Sequence, residues 1–108
     1  MKLYIGGAFQ AQEELARQEN PDAFLLTDFH EKVREALLRG EDPLEYAESV
    51  YHEKPDTVIV SNEVGSGVVP VDPAERAFRE AVGRALCAIA RRSESVTRCV
   101  CGIGVRIK

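Results

Sequence analysis

The chain has 108 residues, 44% of them apolar and 30% charged, with a formal net charge of −4. This length and balance fit one domain, residues 1–108, with a modest core and a mildly acidic surface, and they exclude a disordered chain. The acidity argues against a nucleic-acid partner. No apolar run is long enough to span a bilayer, and Met1-Lys2-Leu3-Tyr4-Ile5-Gly6 is too short in its apolar part for a secretory signal, so a cytoplasmic protein with no membrane partner is expected.

Leu3-Tyr4-Ile5 reads as a short buried strand that Gly6-Gly7 break, ahead of a helix with Ala11, Leu15 and Gln18 on one face. Asn20-Pro21 stops that helix, and Ala23-Phe24-Leu25-Leu26 predicts a second strand, parallel to the first because a helix joins them. Asp28 with Glu31 offers a capping box for a helix that buries Phe29, Val33, Ala36 and Leu37 and stops at Gly40. The pattern returns at Asp42-Pro43-Leu44-Glu45, with Leu44, Ala47, Val50 and Tyr51 as the apolar stripe and an end before Pro55.

Thr57-Val58-Ile59-Val60 is β-branched almost throughout and predicts a central strand buried on both faces. Asp72-Pro73-Ala74-Glu75 starts a long helix that turns Phe78, Ala81, Val82, Ala85, Leu86 and Ile89 to the sheet, with Arg76, Arg79 and Arg84 mostly off that stripe. A strand from 96 to 101, a turn at Gly102-Ile103-Gly104 and a short edge strand at Val105-Arg106-Ile107 close the chain. This alternation predicts a three-layer α/β fold around a mainly parallel sheet of about five strands.

Cys87, Cys99 and Cys101 are odd in number and lack disulfide-framework spacing, so reduced thiols are expected. Cys99 and Cys101 would share one strand face; with no complementary ligands in view, all three read as small buried apolar residues and no metal site is predicted.

The stretch Asn62-Glu63-Val64-Gly65-Ser66-Gly67-Val68-Val69-Pro70 leaves the central strand and precedes the longest helix. Ligands of open α/β sheets bind beyond the carboxyl ends of the strands, and Gly65 and Gly67 permit close backbone approach, so this is the expected functional loop.

Asn62-Glu63-Val64-Gly65 with Gly67 and Pro70, then Arg76, Phe78-Arg79-Glu80 and Gly83, and finally Gly102-Ile103-Gly104-Val105-Arg106-Ile107-Lys108 form one long spaced pattern. From Val58 to Lys108 the chain thereby resembles the C-terminal half of the bifunctional adenosylcobinamide kinase / adenosylcobinamide-phosphate guanylyltransferases of cobalamin biosynthesis. The resemblance implies a RecA-like, P-loop NTPase sheet. It also implies a kinase step in which ATP or GTP with Mg²⁺ phosphorylates the aminopropanol arm of adenosylcobinamide, and GMP transfer through a guanylylated histidine. Carried onto this chain, it implies nucleotide or anion contacts at Gly6, Gly7, Ala8, Asn62, Glu63, Gly65, Gly67, Gly102 and Gly104, an acidic Mg²⁺-related residue at Asp28, and a homo-oligomer with a nucleotide or corrinoid ligand.

The chain departs from that pattern where the chemistry lies. Ala11, Gln12 and Glu13 stand where the family has Gly-Lys-Ser, so the cation that neutralises β- and γ-phosphates and the hydroxyl that holds Mg²⁺ are replaced. The segment that carries the guanylylated histidine is missing between the first helix and the second strand. His30 and His52, the two histidines present, fall on helices and read as solvated or helix-terminal. Leu86-Cys87 replaces an Asn-Gln pair. Alongside the ligand roles stand plainer ones: Asp28 as a helix cap, Asn62 as a partner of loop backbone, Glu63 as a solvated group, the glycines as turns, and Arg76, Arg79 and Lys108 as solvated or ion-paired rather than phosphate-binding.

The reading that follows is a shortened, catalytically degenerate relative with residual nucleotide, anion or corrinoid binding. Two alternatives stand beside it: an active nucleotide-dependent enzyme with a site rebuilt around Asn62, Glu63 and Asp28, and a non-enzymatic oligomerisation or partner-binding module.

Overall fold

The computed structural model describes residues 1–63 and 72–108; the expected turn glycines Gly65 and Gly67 lie outside that range. The elements in order are β1 (Lys2–Gly6), α1 (Gln12–Glu19), β2 (Leu25–Leu26), α2 (Phe29–Leu38), α3 (Pro43–Glu53), β3 (Val58–Asn62), α4 (Pro73–Arg92), β4 (Ser95–Val100) and β5 (Ile103–Arg106). They form one five-stranded sheet in the order β2-β3-β1-β4-β5. The first four strands run parallel, and β5 returns antiparallel to β4 at the edge. None of the described helices is long and apolar enough to cross a membrane.

Two apolar cores define the layers. On one face α2, α3 and α4 pack Phe29, Val33, Ala47, Val82 and Ile89 against Leu3, Ile59 and Val96. On the other, α1 covers Tyr4, Val58, Val60 and Cys99 with Leu15 and Ala16. Each large side chain buried this way contributes about 1.5–3 kcal/mol relative to exposure. The three-layer, mainly parallel architecture expected from the alternation is therefore the one observed.

The Asp-Pro starts behave as their chemistry demands. Asp42 accepts from Leu44 N at 2.8 Å and from Glu45 N at 3.4 Å, and Asp72 accepts from Ala74 N at 3.0 Å, each with Pro at the first helical position. Asp28 does not: it sits at φ 53°, ψ 44° and makes no side-chain cap. Thr27 and Asp28 alone must turn the chain from β2 into α2, and a left-handed residue achieves that reversal.

Other expectations are corrected by packing. In α1 the inward face is Gln12, Leu15 and Ala16, while Ala11 and Gln18 are exposed, because the helix starts one residue later, at Gln12. Leu44 is exposed in the first turn of α3, whose contacts run through Tyr46, Ala47, Val50 and Tyr51 instead. The second strand is Leu25–Leu26 only. Of the cysteines, Cys99 alone is buried; Cys87 is exposed on α4, and Cys101 sits in the turn after β4 rather than on a shared strand face. Cys101 and Gly102, at φ 52° and 76°, form a two-residue hairpin loop with positive φ at both positions, as the right-handed strand twist favours.

Candidate functional site

The carboxyl ends of β1 and β3 lie side by side, Gly6 beside Asn62, and the loop from Gly7 to Ala11 leaves the sheet there. Gly6 is dictated by crowding: a Cβ would lie 2.8 Å from Cys99 O and 3.2 Å from Gln12 Oε1. Glu63 N donates to Gly6 O at 2.7 Å and fixes the two strand ends together. Gly7 meets no such wall, and Ala8 is exposed with its carbonyl accepting from Gln10 Nε2. Phe9 and Ala11 both hold left-handed backbone, at φ 61° and 64°, a conformation that costs side-chain-bearing residues about 1–2 kcal/mol each.

Gln12 occupies the interior of this loop. Its Nε2 donates to Asn62 Oδ1 at 2.9 Å and lies within reach of Gly7 O at 3.2 Å, Gly6 O at 3.3 Å and Ser61 O at 3.4 Å. Two amide hydrogens thus meet four acceptors, and a neutral carboxamide closes the space beneath the loop. Gln10 ties the same loop to the β4–β5 turn: its Oε1 accepts from Cys101 N at 2.6 Å and its carbonyl from Gly102 N at 3.2 Å.

His30, the second residue of α2, completes the arrangement. It is buried, and its Nδ1 accepts from Asn62 N at 3.1 Å, which puts the ring proton of the neutral form on Nε2, 3.8 Å from Glu31 Oε1. The sequence reads His30 as solvated or helix-terminal; it is helix-terminal, and buried rather than solvated. His52, by contrast, is exposed beside Glu48. Gln12 and His30 thus grip Asn62 from both sides, through its side chain and its backbone. Asn62 is thereby tied to α1 and α2, and half-buried Glu63 faces Arg98 at 3.8 Å.

Between α1, the start of α2 and the end of β3 opens a cleft of about 350 Å³, with Phe9 fully exposed at its rim. Its charged lining residues are Glu13, Glu14 and Asp28, all carboxylates, and no lysine or arginine lines it among the described residues. Each carboxylate facing a phosphate at a few ångströms costs about 1 kcal/mol even in water and more where water is thinned. Mg²⁺ with a nucleoside triphosphate does not fit this donor set: the neutralising cation is gone, Glu13 replaces the hydroxyl, and among the described residues no three His, Cys, Asp or Glu side chains are placed to share a metal ion.

Two further positions have partners of their own within the fold. Gly104 is not in a turn but inside β5 opposite Cys99; a Cβ there would come within 2.5 Å of Leu15 Cδ2, so its bareness seats α1 on the sheet. Lys108 Nζ donates to Ala90 O at 2.8 Å and Arg91 O at 3.3 Å, satisfying carbonyls at the C-terminus of α4 rather than a phosphate.

Residues 9–107 match the family model described as cobinamide kinase / cobinamide phosphate guanyltransferase. The chain is also 45% identical over 51 residues to the bifunctional adenosylcobalamin biosynthesis protein CobU of Salmonella typhimurium, and to the same degree over the same length to that of Escherichia coli. Each match takes in 47% of this chain and 28% of the relative, so less than a third of either relative's length is covered. The five-stranded, mostly parallel sheet with its four described helices agrees with the P-loop NTPase-like fold that such a match implies. The chain belongs to the cobinamide kinase / cobinamide phosphate guanyltransferase family.

Proposed function

We propose that this chain keeps the scaffold of its family without the family's triphosphate chemistry, and that its cleft receives a corrinoid arm that carries no phosphate. The observation that carries this reading is the Gln12 carboxamide bonded to Asn62 and the strand carbonyls in the place of the phosphate-loop lysine. The acidic lining adds to it. Carboxylates at Glu13, Glu14 and Asp28 repel a polyphosphate yet accept hydrogen bonds from a hydroxyl such as the terminal one of an aminopropanol arm. A cleft of 350 Å³ admits such an arm and not a corrin ring, which would rest outside, against Phe9.

Calorimetric titration separates the parts of this reading. Adenosylcobinamide is expected to give saturable heat, and Mg·ATP and Mg·GTP none, at concentrations up to about 1 mM. Mg²⁺-dependent triphosphate binding with a Kd below about 100 μM would overturn the loss of nucleotide chemistry, and silence from adenosylcobinamide would overturn the corrinoid arm.

A further inference from the structure

The sheet face that carries α1 continues past the helix. By strand alternation it presents Lys2 and Tyr4 on β1, Ser95 and Thr97 on β4, and Arg106 on β5, and over them opens a polar cavity of about 420 Å³. It lies toward the amino ends of β1 and β4, away from the cleft beside Gly6 and Asn62.

Two residues of its floor are buried yet unused. Ser95 and Thr97 are each 9% exposed, and among the described residues neither hydroxyl has a hydrogen-bond partner. Every fully enclosed side-chain oxygen among the described residues is bonded, so these two hydroxyls are not enclosed: they face the cavity they line. Buried polar groups find partners in the protein or in something bound to it, and here two stand side by side on one strand face.

The charged walls are held from behind. Tyr4 Oη donates to Glu19 Oε1 at 2.6 Å, Lys2 Nζ donates to Asn20 Oδ1 at 3.0 Å, and Arg106 Nε donates to Lys108 O at 2.7 Å. These bonds fix the groups and leave Oε2 of Glu19 and Nη1 of Arg106 to meet a ligand. Glu94 completes a lining of two cations and two carboxylates, formally neutral, which suits neither a simple anion nor a simple cation. The register sets Tyr4, Thr97 and Arg106 in one row across three strands. A carboxylate and a guanidinium thus flank a hydroxyl, on strands about 10 Å apart.

We propose that this cavity binds a free α-amino acid as its zwitterion, the carboxylate accepting from Arg106 and from the Thr97 and Ser95 hydroxyls, the ammonium donating to Glu19. Opposite charges one carbon apart answer both walls at once. A phosphate answers Arg106 and is repelled by Glu19, a neutral sugar leaves both charges without a counterion, and a peptide carries its two charges too far apart. The walls are already oriented by their own hydrogen bonds, so little side-chain freedom is lost on binding.

Calorimetric titration of the full chain with the proteinogenic amino acids, one at a time at up to about 10 mM, is expected to find at least one with a Kd below about 1 mM. Its N-acetyl and amide derivatives, each lacking one charge, are expected to bind at least about tenfold more weakly, as is the free amino acid to Arg106→Gln. Thr97→Val keeps the shape and removes the hydroxyl. It is expected to lower affinity at least about threefold while leaving the melting temperature of the ligand-free protein unchanged or higher, because the hydroxyl has no protein partner to lose; a structural Thr97 would do the reverse. Amide NMR shifts on titration are expected to move at residues 95–97 and 104–106 and not at 9–14. No saturable binding by any amino acid, equal affinity for the blocked derivatives, indifference to both substitutions, or shifts confined to residues 9–14 would overturn the proposal. If a variant unfolds, the blocked derivatives and the NMR map of the parent chain decide.

Discussion

Gln12 donates to the side-chain oxygen of Asn62 at 2.9 Å and so joins the first turn of α1 to the end of β3. Gln12 is 6% exposed, so nothing but protein replaces water around its amide. Gln12→Ala therefore leaves several carbonyls and Asn62 Oδ1 short of a donor and is expected to cost about 1–3 kcal/mol, read as a lower urea midpoint at unchanged m.

Restoring the loop tests how much of the old pocket survives. The triple change Ala11→Gly, Gln12→Lys and Glu13→Ser returns the neutralising cation and the hydroxyl together. If only this loop has decayed, Mg·ATP affinity measured by calorimetry should rise at least about tenfold, against none detectable in the parent. No gain would locate the loss in the surrounding cleft as well.

Ala11 alone supplies a cleaner measurement, because its φ of 64° is one that glycine adopts without strain. Ala11→Gly removes about 1–2 kcal/mol of left-handed strain and adds back about 0.4–1 kcal/mol of unfolded-chain entropy. A net stabilisation of about 0.5–1 kcal/mol by denaturant titration is expected. Destabilisation would mean that the Ala11 methyl contributes packing at the mouth of the cleft.

The fold was largely legible because the chain repeats strong local statements: Asp-Pro caps at Asp42 and Asp72, a β-branched run ending at Val60, and glycines between β1 and α1. The site was not, for a reason visible in each residue concerned. Gln12 and His30 look like ordinary polar residues in helix first turns; they become buried partners of Asn62 only because two helices converge on the end of one strand. Asp28 carries the same Asp-x-x-Glu letters as Asp42, yet a two-residue connection overrides the cap. Gly104 resembles a turn glycine next to Gly102, but the two-residue turn is already filled by Cys101 and Gly102, which pushes Gly104 into the strand. Side-chain periodicity reports burial against a sheet; it carries no information about what three elements do where they meet.

Gly104 and Leu15 offer a test of that packing. Gly104→Ala forces a methyl against Leu15 Cδ2 and within 3.0 Å of Thr97 Cγ2, and is expected to cost about 1–3 kcal/mol. Leu15→Ala costs less in that background than in the parent, since the shortened side chain makes room. A double-mutant cycle should therefore give a coupling of at least about 1 kcal/mol; additive effects would refute the contact as the cause.

Alkaline stability depends on Tyr4. Its hydroxyl donates to Glu19 Oε1 at 2.6 Å and accepts from Asn20 Nδ2 at 3.0 Å. Burial and the hydrogen bond to the Glu19 carboxylate raise its pKa above the ordinary 10.0, so the folded state holds the proton longer than the unfolded one. Where the folded state binds more protons, stability falls as pH rises: the contribution is complete below pH 10 and is lost between 10 and the raised folded value. Burial raises the thiol of Cys99 in the same layer from 9.0, which starts the decline near pH 9. Urea midpoints measured from pH 8 to 11 are expected to fall for the parent chain, and to fall less steeply above pH 10 for Tyr4→Phe, which has no proton to lose there. Tyr4→Phe also removes the bonds to Glu19 and Asn20, so its midpoint at pH 8 should lie lower, by about 1 kcal/mol of stability. Parallel curves for the two proteins would assign the alkaline loss to other groups.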